Sequence, residues 1–503
     1  MRLPRRSLLL SASVLTLLIA SPALATTTIS TATTTPISSS TANSGAADDI
    51  DVTDAGSITL TSGTAITLDS DNSLILNGPI VMSSSDSGSI GILIDGARTA
   101  DLDISGAITV TDDYTASDSD SDGITDGVFA EGTGRYGIRA TGLLTGSADI
   151  DSTISVQGNQ STAISFEGGQ VGDFLFDGSI SVLGDDVRGI ALTGTQTGQV
   201  YISGSISSQG KNAQALDLSG LIDGSLIIDA SISNMGYRYS SVSSDYLDLL
   251  DEDDLYQAKA AVQISNSVSG GVLINGAVTS EDSDNDDENG NGITDTDESS
   301  ASIVQYGSAP ALLIASDSQD ISLGALSYND SVTDTFSDRT YSLDIRGTVS
   351  ALGIYEGVSS TAVQIGGLGY QTLLEHGMGL SGTISATAYE GNATGLRLAS
   401  GADLSLINIT GSLTASSTTT DYNTAYGLDI DSGASLPSLT IGYGGVLSAY
   451  GYGTTANATA LRDTSNSLTS ITVSGGIAAA IVPGDEDEDD VTDTAVNRAV
   501  AID

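Results

Sequence analysis

The sequence predicts an all-β fold, a right-handed parallel β-helix (solenoid) of about 14 coils. Three observations predict it. The stretches 162–184, 188–210 and 214–236 align with one another, and their marker isoleucines at Ile154, Ile180, Ile206 and Ile232 fall 26 residues apart. A fixed period of that size means one coil per repeat, each packed only on its neighbours. Within each repeat, apolar residues alternate with polar ones, as at Phe174 and Phe176, Ile180 and Val182, Ile190 and Leu192, and Val200 and Ile202. That period of two, broken by Gly, Asp and Asn, reads as short strands and not helices. The larger gaps keep the arithmetic. Ile108 to Ile154 and Ile232 to Val278 are 46 residues each, a 26-residue coil with 20 inserted, and Val278 to Leu326 is 48, a coil with 22 inserted. No recurring L-x-x-L-x-L motif supports a leucine-rich repeat instead.

Taken in order, residues 1–25 read as an export signal. Arg2, Arg5 and Arg6 form a basic start, Leu8 to Ala20 is an apolar run, and Ala23-Leu24-Ala25 is a small-residue cleavage site. The run is too short to span a membrane. Arg5-Arg6-Ser7-Leu8-Leu9 loosely resembles a twin-arginine signal. Residues 26–48 are rich in Ser and Thr without apolar period, and read as a leader or a frayed first cap. Coils are expected from 49 to 503, with markers at Ile58, Ile80, Ile108, the four isoleucines above, Val278, Leu326, Val349, Ile384, Leu413, Val446 and Ile477. Loops are expected near 112–133, 237–258 and 281–300. Within the second, 245–259 has helical spacing at Leu247, Leu250, Leu255 and Tyr256, which predicts a short helix lying on the rod. At about 4.8 Å per coil the rod would be roughly 65 Å long.

Composition narrows the function. The chain has 15 Lys+Arg against 64 Asp+Glu in 503 residues, a net charge of −49. Such a surface repels nucleic acid and anionic membranes and attracts cations. It has no Cys, so no disulfide framework, which suits a chain that crosses a second membrane unfolded. His376 is the only histidine and sits in Leu-Leu-Glu-His-Gly-Met, which reads as an ordinary turn. No G-x-S-x-G, HExxH or phosphate-loop motif accompanies it. Arg188 and Arg397 stand isolated in sequence, without the basic cluster a polysaccharide lyase would need.

Three acidic stretches fit D-x-[DN]-x-[DN]-[GD]-[IV]-T-D, starting at Asp118, Asp287 and Asp485. In the first, Asp118, Asp120, Asp122 and Asp126 occupy positions 1, 3, 5 and 9; in the second, Asp287, Asn289, Asn291 and Asp295 do. Alternating oxygens with Gly123 or Gly292 at the turn are the opening of a calcium loop. The bidentate Glu at position 12 is missing in the first, where Phe129 stands, so any Ca2+ binding is expected to be weak. The third has Asp490 in the glycine position and is the poorest.

These features resemble a family. The export signal, the absent cysteines, the leader Arg-Arg-Ser-Leu-Leu-Leu (5–10), the Thr-rich start at 27–35, the Gly134-Arg-Tyr-Gly-Ile-Arg139 stretch and the Gly-x-Ile-Ser rungs resemble the passenger domain of type V autotransporters, in particular the large autotransporter-like surface proteins of sphingomonad-type bacteria. The resemblance implies a Gram-negative cell-surface or extracellular rod, adhesin-like and non-enzymatic, with an unknown surface ligand. It also implies a C-terminal β-barrel translocator, expected to be missing from this chain; the final Asn497 to Asp503 reads like the opening of another rung. The alternative is a β-helix enzyme acting on polysaccharide, a lyase or hydrolase. No catalytic residue carries over.

Overall fold

The computed structural model describes residues 26–503 apart from 119–120, 122, 126, 242–246, 278–299, 327–339, 421, 484–494 and 496. Every strand-to-strand ladder in it is parallel, and each strand pairs with the equivalent strand of the coil before and after. This is a parallel β-helix, as the 26-residue period predicts.

One regular coil shows the plan. The strand Phe174–Leu183 forms two walls in succession, wall 1 at 174–176 and wall 2 at 179–183. Arg188–Leu192 forms wall 3, and Gln196–Thr197 a short wall 4. Walls 1 and 2 belong to one 25-stranded sheet, and wall 3 is a separate 14-stranded sheet. Inward side chains stack as ladders. On wall 2 the ladder runs Ile58, Ile80, Ile108, Ile154, Ile180, Ile206, Ile232, Ile303, Val349, Ile384, Leu413, Leu447 and Ile477. All but the last are essentially inaccessible to water, and Phe166 and Phe174 add an edge-to-face pair with centroids 5.4 Å apart. Burial of such ladders drives the fold, because an isolated coil cannot cover its own apolar face.

Three expectations need correction. The stack starts one coil earlier than expected: Thr26–Ile29 pairs in register with Asp49–Val52, and Ala32–Thr33 pairs with Ser57 and Ile58. Residues 26–48 therefore form a coil, with Thr27 and Thr33 where the next coil has Ile50 and Ile58. Between Ile232 and Val349 there is one rung, not two. Ile303 supplies it, and Leu326 instead packs outside wall 1 against Ile227 and Leu273; Val278 lies outside the described residues. Finally, Leu447 and not Val446 points inward, leaving Val446 exposed. The coil gained at the start and the coil lost in the middle cancel, so wall 3 still has 14 strands.

One ladder escaped the sequence reading. From Thr64–Leu68 to Asn457–Asp463, the residue just before the inward Ile, Leu or Val of wall 3 is small in every coil: Ala65, Gly91, Gly137, Ala163, Gly189, Ala215, Ala261, Ala311, Ala362, Gly395, Gly427 and Ala460. Here wall 3 meets the wall 2 side chains. A Cβ at Gly189 would stand 2.5 Å from the Ala215 carbonyl oxygen and 2.8 Å from Ile206 Cγ2. Gly189→Leu is accordingly expected to destabilise the central coils by about 1–3 kcal/mol through overpacking. Ala215→Gly should cost no more than about 1 kcal/mol. Urea unfolding followed by circular dichroism compares the two; equal midpoints would rule out a packing limit at this position.

Candidate functional site

The turn from wall 2 to wall 3 is four residues in a regular coil, 184–187. Elsewhere this one corner takes up long insertions. Residues 111–133 lie between the strands Ile108–Val110 and Tyr136–Ala140, and 236–258 between Leu226–Met235 and Val262–Ile264. The lengthened turn 354–359 follows Thr348–Gly353 at the same corner. The described strands Gly476–Val482 and Ala499–Ile502 stand 16 residues apart on either side of the same corner, and Val272–Ile274 and Ser302–Tyr306, of walls 1 and 2, stand 27 apart.

The first insertion is tied at its neck. Asp112 Oδ2 accepts hydrogen bonds from the backbone N–H of Glu131 and Gly132, both at 3.1 Å, and Oδ1 accepts from Tyr114 N–H at 3.2 Å. The Arg135 guanidinium, buried behind it, reaches Asp112 at 3.4 Å and also donates to Ser85 Oγ, the Ser85 carbonyl and the Gln157 carbonyl. One carboxylate thus holds both ends of the loop, and one buried arginine fastens that carboxylate to three coils.

The two insertions then meet. They leave the rod at Ile108 and Ile232, four rungs or roughly 19 Å apart. Arg238 lies over the Phe129 ring at 4.5 Å and donates to the Gly127 carbonyl at 2.9 Å. Thr125 N–H donates to Tyr239 Oη at 3.1 Å, and Gly127 N–H to Asp253 Oδ2 at 3.0 Å. Tyr355 joins from the next turn, edge-to-face with Tyr237 at 4.8 Å, its hydroxyl donating to the Tyr239 carbonyl at 2.7 Å. Beneath them Asn234 is wholly buried yet satisfied, donating to the Lys259 carbonyl and to Gln305 Oε1. The result is a continuous ridge along one edge of the rod. Further along the same edge, Tyr389, Thr418 and Tyr452 stack in register, with both tyrosines partly exposed beside a shallow hollow reaching Val482.

Of the calcium candidates, Asp118 alone lies among the described residues; Asp120, Asp122, Asp126, Asp287, Asn289, Asn291 and Asp295 lie outside them. Asp118 Oδ1 and Oδ2 accept from Ser121 N–H at 2.6 Å and Gly123 N–H at 3.1 Å, so its carboxylate shapes the turn itself. The expected helix over 245–259 is absent from its described part, which holds one 3-10 turn at Leu247–Leu249. Contacts with the rod override the local helical pattern: Tyr256 stacks under the Lys211 ammonium, and the Gln257 carbonyl accepts from Asn212 N–H. His376 is exposed in a turn, its N–H donating to Ser342 Oγ at 2.9 Å. Arg188 and Arg397, isolated in sequence, each reach an acid of the following coil, Asp217 at 3.2 Å and Asp431 at 2.8 Å.

The carboxylates do not all titrate alike. Burial, then the charge of Asp177, raises the carboxyl of Asp151 above the ordinary 3.8. Burial outweighs the Lys211 N–H to raise that of Asp185. Contact with Asp251, then burial, raises that of Asp253. Each ionised group costs the folded state, so stability is gained as pH falls from neutral into their folded titration range. Asp69 runs the other way. Burial raises it, but hydrogen bonds from Ser38 Oγ, Ser40 N–H and Ser40 Oγ hold it down at about 2. Its contribution is full above the unfolded value of about 3.9 and is lost as pH falls through its folded value. Melting temperature is therefore expected to rise from neutral pH to a maximum near pH 4, by this linkage, and to fall below it. A monotonic fall from pH 8 downward would contradict these assignments.

No protein family, curated protein or solved structure matches the chain. Among the described residues, no helix is long and apolar enough to cross a membrane, and no group of three or more His, Cys, Asp or Glu could hold a metal ion.

Proposed function

We propose that the chain is an exported, surface-displayed passenger, a non-enzymatic stalk or adhesin whose rod presents the loop-bearing edge to a partner outside the cell. The observation that carries this reading is the meeting of two insertions, 111–133 and 236–258, in one ridge along the corner between walls 2 and 3. In repeat folds, insertions confined to one face mark the face that binds. The basic-apolar start with its Ala23-Leu24-Ala25 site, and the net charge of −49, support export and solubility. The test is expression in a Gram-negative host with antibodies against the rod. Removal of the first 25 residues with labelling of intact cells or of the medium is expected; an uncleaved chain retained in the cytoplasm would overturn it.

Weak calcium binding by the acidic stretches belongs to the same reading. Millimolar calcium is expected to raise the melting temperature, and Asp120→Ala with Asp122→Ala to remove part of the gain. An enzymatic alternative would draw on the cleft that holds Asp344 and Arg346. That cleft has a single lining carboxylate, bonded to the arginine at 2.9 Å, whereas glycoside hydrolysis uses two. Turnover of a polysaccharide by purified protein, lost on Asp344→Asn, would favour the enzyme.

A further inference from the structure

A second feature lies on the outside of wall 1, away from the decorated corner. Its outward ladder runs Asp344, Gly379, Asn408 and Thr440, one residue per coil. Beside it, the residues following each strand are Arg346, Ser381, Thr410 and Gly442. Together they floor an open cleft of about 450 Å3. That volume falls within the range of small-ligand sites.

The cleft is built, not incidental. Gly379 has no side chain to compete with Tyr341, whose ring lies against it: a Cβ there would come within 2.6 Å of two ring carbons. The Tyr341 hydroxyl accepts a hydrogen bond from Asn408 Nδ2 at 3.0 Å, fixing the ring as one wall. At one end the Arg346–Asp344 pair is itself buried, with side chains 5 % and 8 % exposed. Gly442 keeps the floor open, since a Cβ there would stand 2.9 Å from Thr410 Cγ2. Beside it Tyr443 is 92 % exposed, a ring held out over the opening with nothing packed on it. The second, independent observation is Asn408. It is only 8 % exposed, it lines the cleft, and its Oδ1 is buried without a hydrogen-bond partner. A buried acceptor left open is costly, and a ligand hydroxyl or amide is the donor such a site lacks.

We propose that this cleft binds one unit of a neutral saccharide. A free aromatic face gives apolar contact with a sugar ring, while amide, hydroxyl, carboxylate and guanidinium groups within one small volume answer its hydroxyls. The carboxylate and guanidinium cancel, and a chain of net charge −49 repels acidic glycans, so the ligand is uncharged. This inference rests on the cleft and stands whether or not the chain is exported.

The experiment is saturation-transfer NMR on the full chain. The probes are neutral trisaccharides of glucose, galactose, mannose and N-acetylglucosamine, with trigalacturonate as the acidic comparison. At least one neutral trisaccharide is expected to bind saturably. Tyr443→Ala should weaken it at least tenfold with no change in melting temperature, because the ring contributes no packing. Asn408→Ala should weaken it as well. Absence of binding by every neutral probe would overturn the proposal. So would tighter binding of trigalacturonate, or affinity kept within twofold in both variants.

Discussion

Asp112→Ala is expected to cost about 3–5 kcal/mol, one of the two largest losses from a single side chain in this molecule. The size follows from what is left behind. Arg135 stays buried, its guanidinium still held by Ser85 and the Gln157 carbonyl but without a counter-charge. The N–H groups of Tyr114, Glu131 and Gly132 lose their acceptor at the same moment. Breaking a buried pair from one side is far costlier than removing both partners. Asp112→Leu with Arg135→Met should therefore be milder than Asp112→Ala alone. Asp113→Ala, exposed and one residue along, should stay within about 0.5 kcal/mol of wild type. Hydrogen exchange of the strands Ile108–Val110 and Tyr136–Ala140 localises the effect. If all three variants unfold alike, the clasp is ornamental and charge alone matters.

That clasp marks the limit of what the sequence could convey. Where coils follow one another without insertion, the marker isoleucines from Ile154 to Ile232 predict the register residue for residue, because a constant length fixes which side chain stacks on which. The gap of 71 residues from Ile232 to Ile303 carries two insertions at different corners, and length alone cannot tell two insertions in one coil from one in each of two. Residues 26–48 were opaque for another reason. Ile29 and Ile37 stack inward, but Thr27 and Thr33 stand where the next coil has Ile50 and Ile58, so the apolar alternation that identifies a coil is broken, although the backbone ladder is complete. The decorated corner was half legible. Each insertion shows in the spacing, but their meeting depends on contacts between residues more than 100 apart, such as Thr125 with Tyr239. One signal was present: in a chain with 5 Phe and 18 Tyr, the placing of Phe129, Tyr237, Tyr239 and Tyr256 in acidic loops marks residues that need burial. The cleft on wall 1 left no trace at all, since Gly379 and Gly442 look like any other turn glycine until the register sets them beside Asn408.

Tyr237→Ala is expected to undo the ridge while leaving the rod standing. Tyr237 is completely buried, and its ring packs edge-on against Tyr355. Burial and the neighbouring Tyr237 push the Tyr355 hydroxyl up to about 12, as suits a pair closed off from water. Removing a large buried ring costs about 3–5 kcal/mol. Here the loss falls on elements outside the stack, because the neighbouring walls keep their own ladders and repeat folds are coupled chiefly between adjacent coils. The expected signature is local. Limited proteolysis should open the chain within the two insertions, at 112–133 and 237–258, at least tenfold faster than in wild type. Far-ultraviolet circular dichroism should be unchanged. Arg238→Ala, which removes the stack on Phe129 and the bond to the Gly127 carbonyl, should free the first insertion with a smaller effect. Tyr237→Phe, keeping the ring, should protect both insertions as wild type does. Cleavage spreading into the walls, or no faster cleavage in Tyr237→Ala, would mean that the insertions are not held by this contact. A local result would instead make the ridge an independent unit of order, able to change shape on binding while the rod beneath it stays fixed.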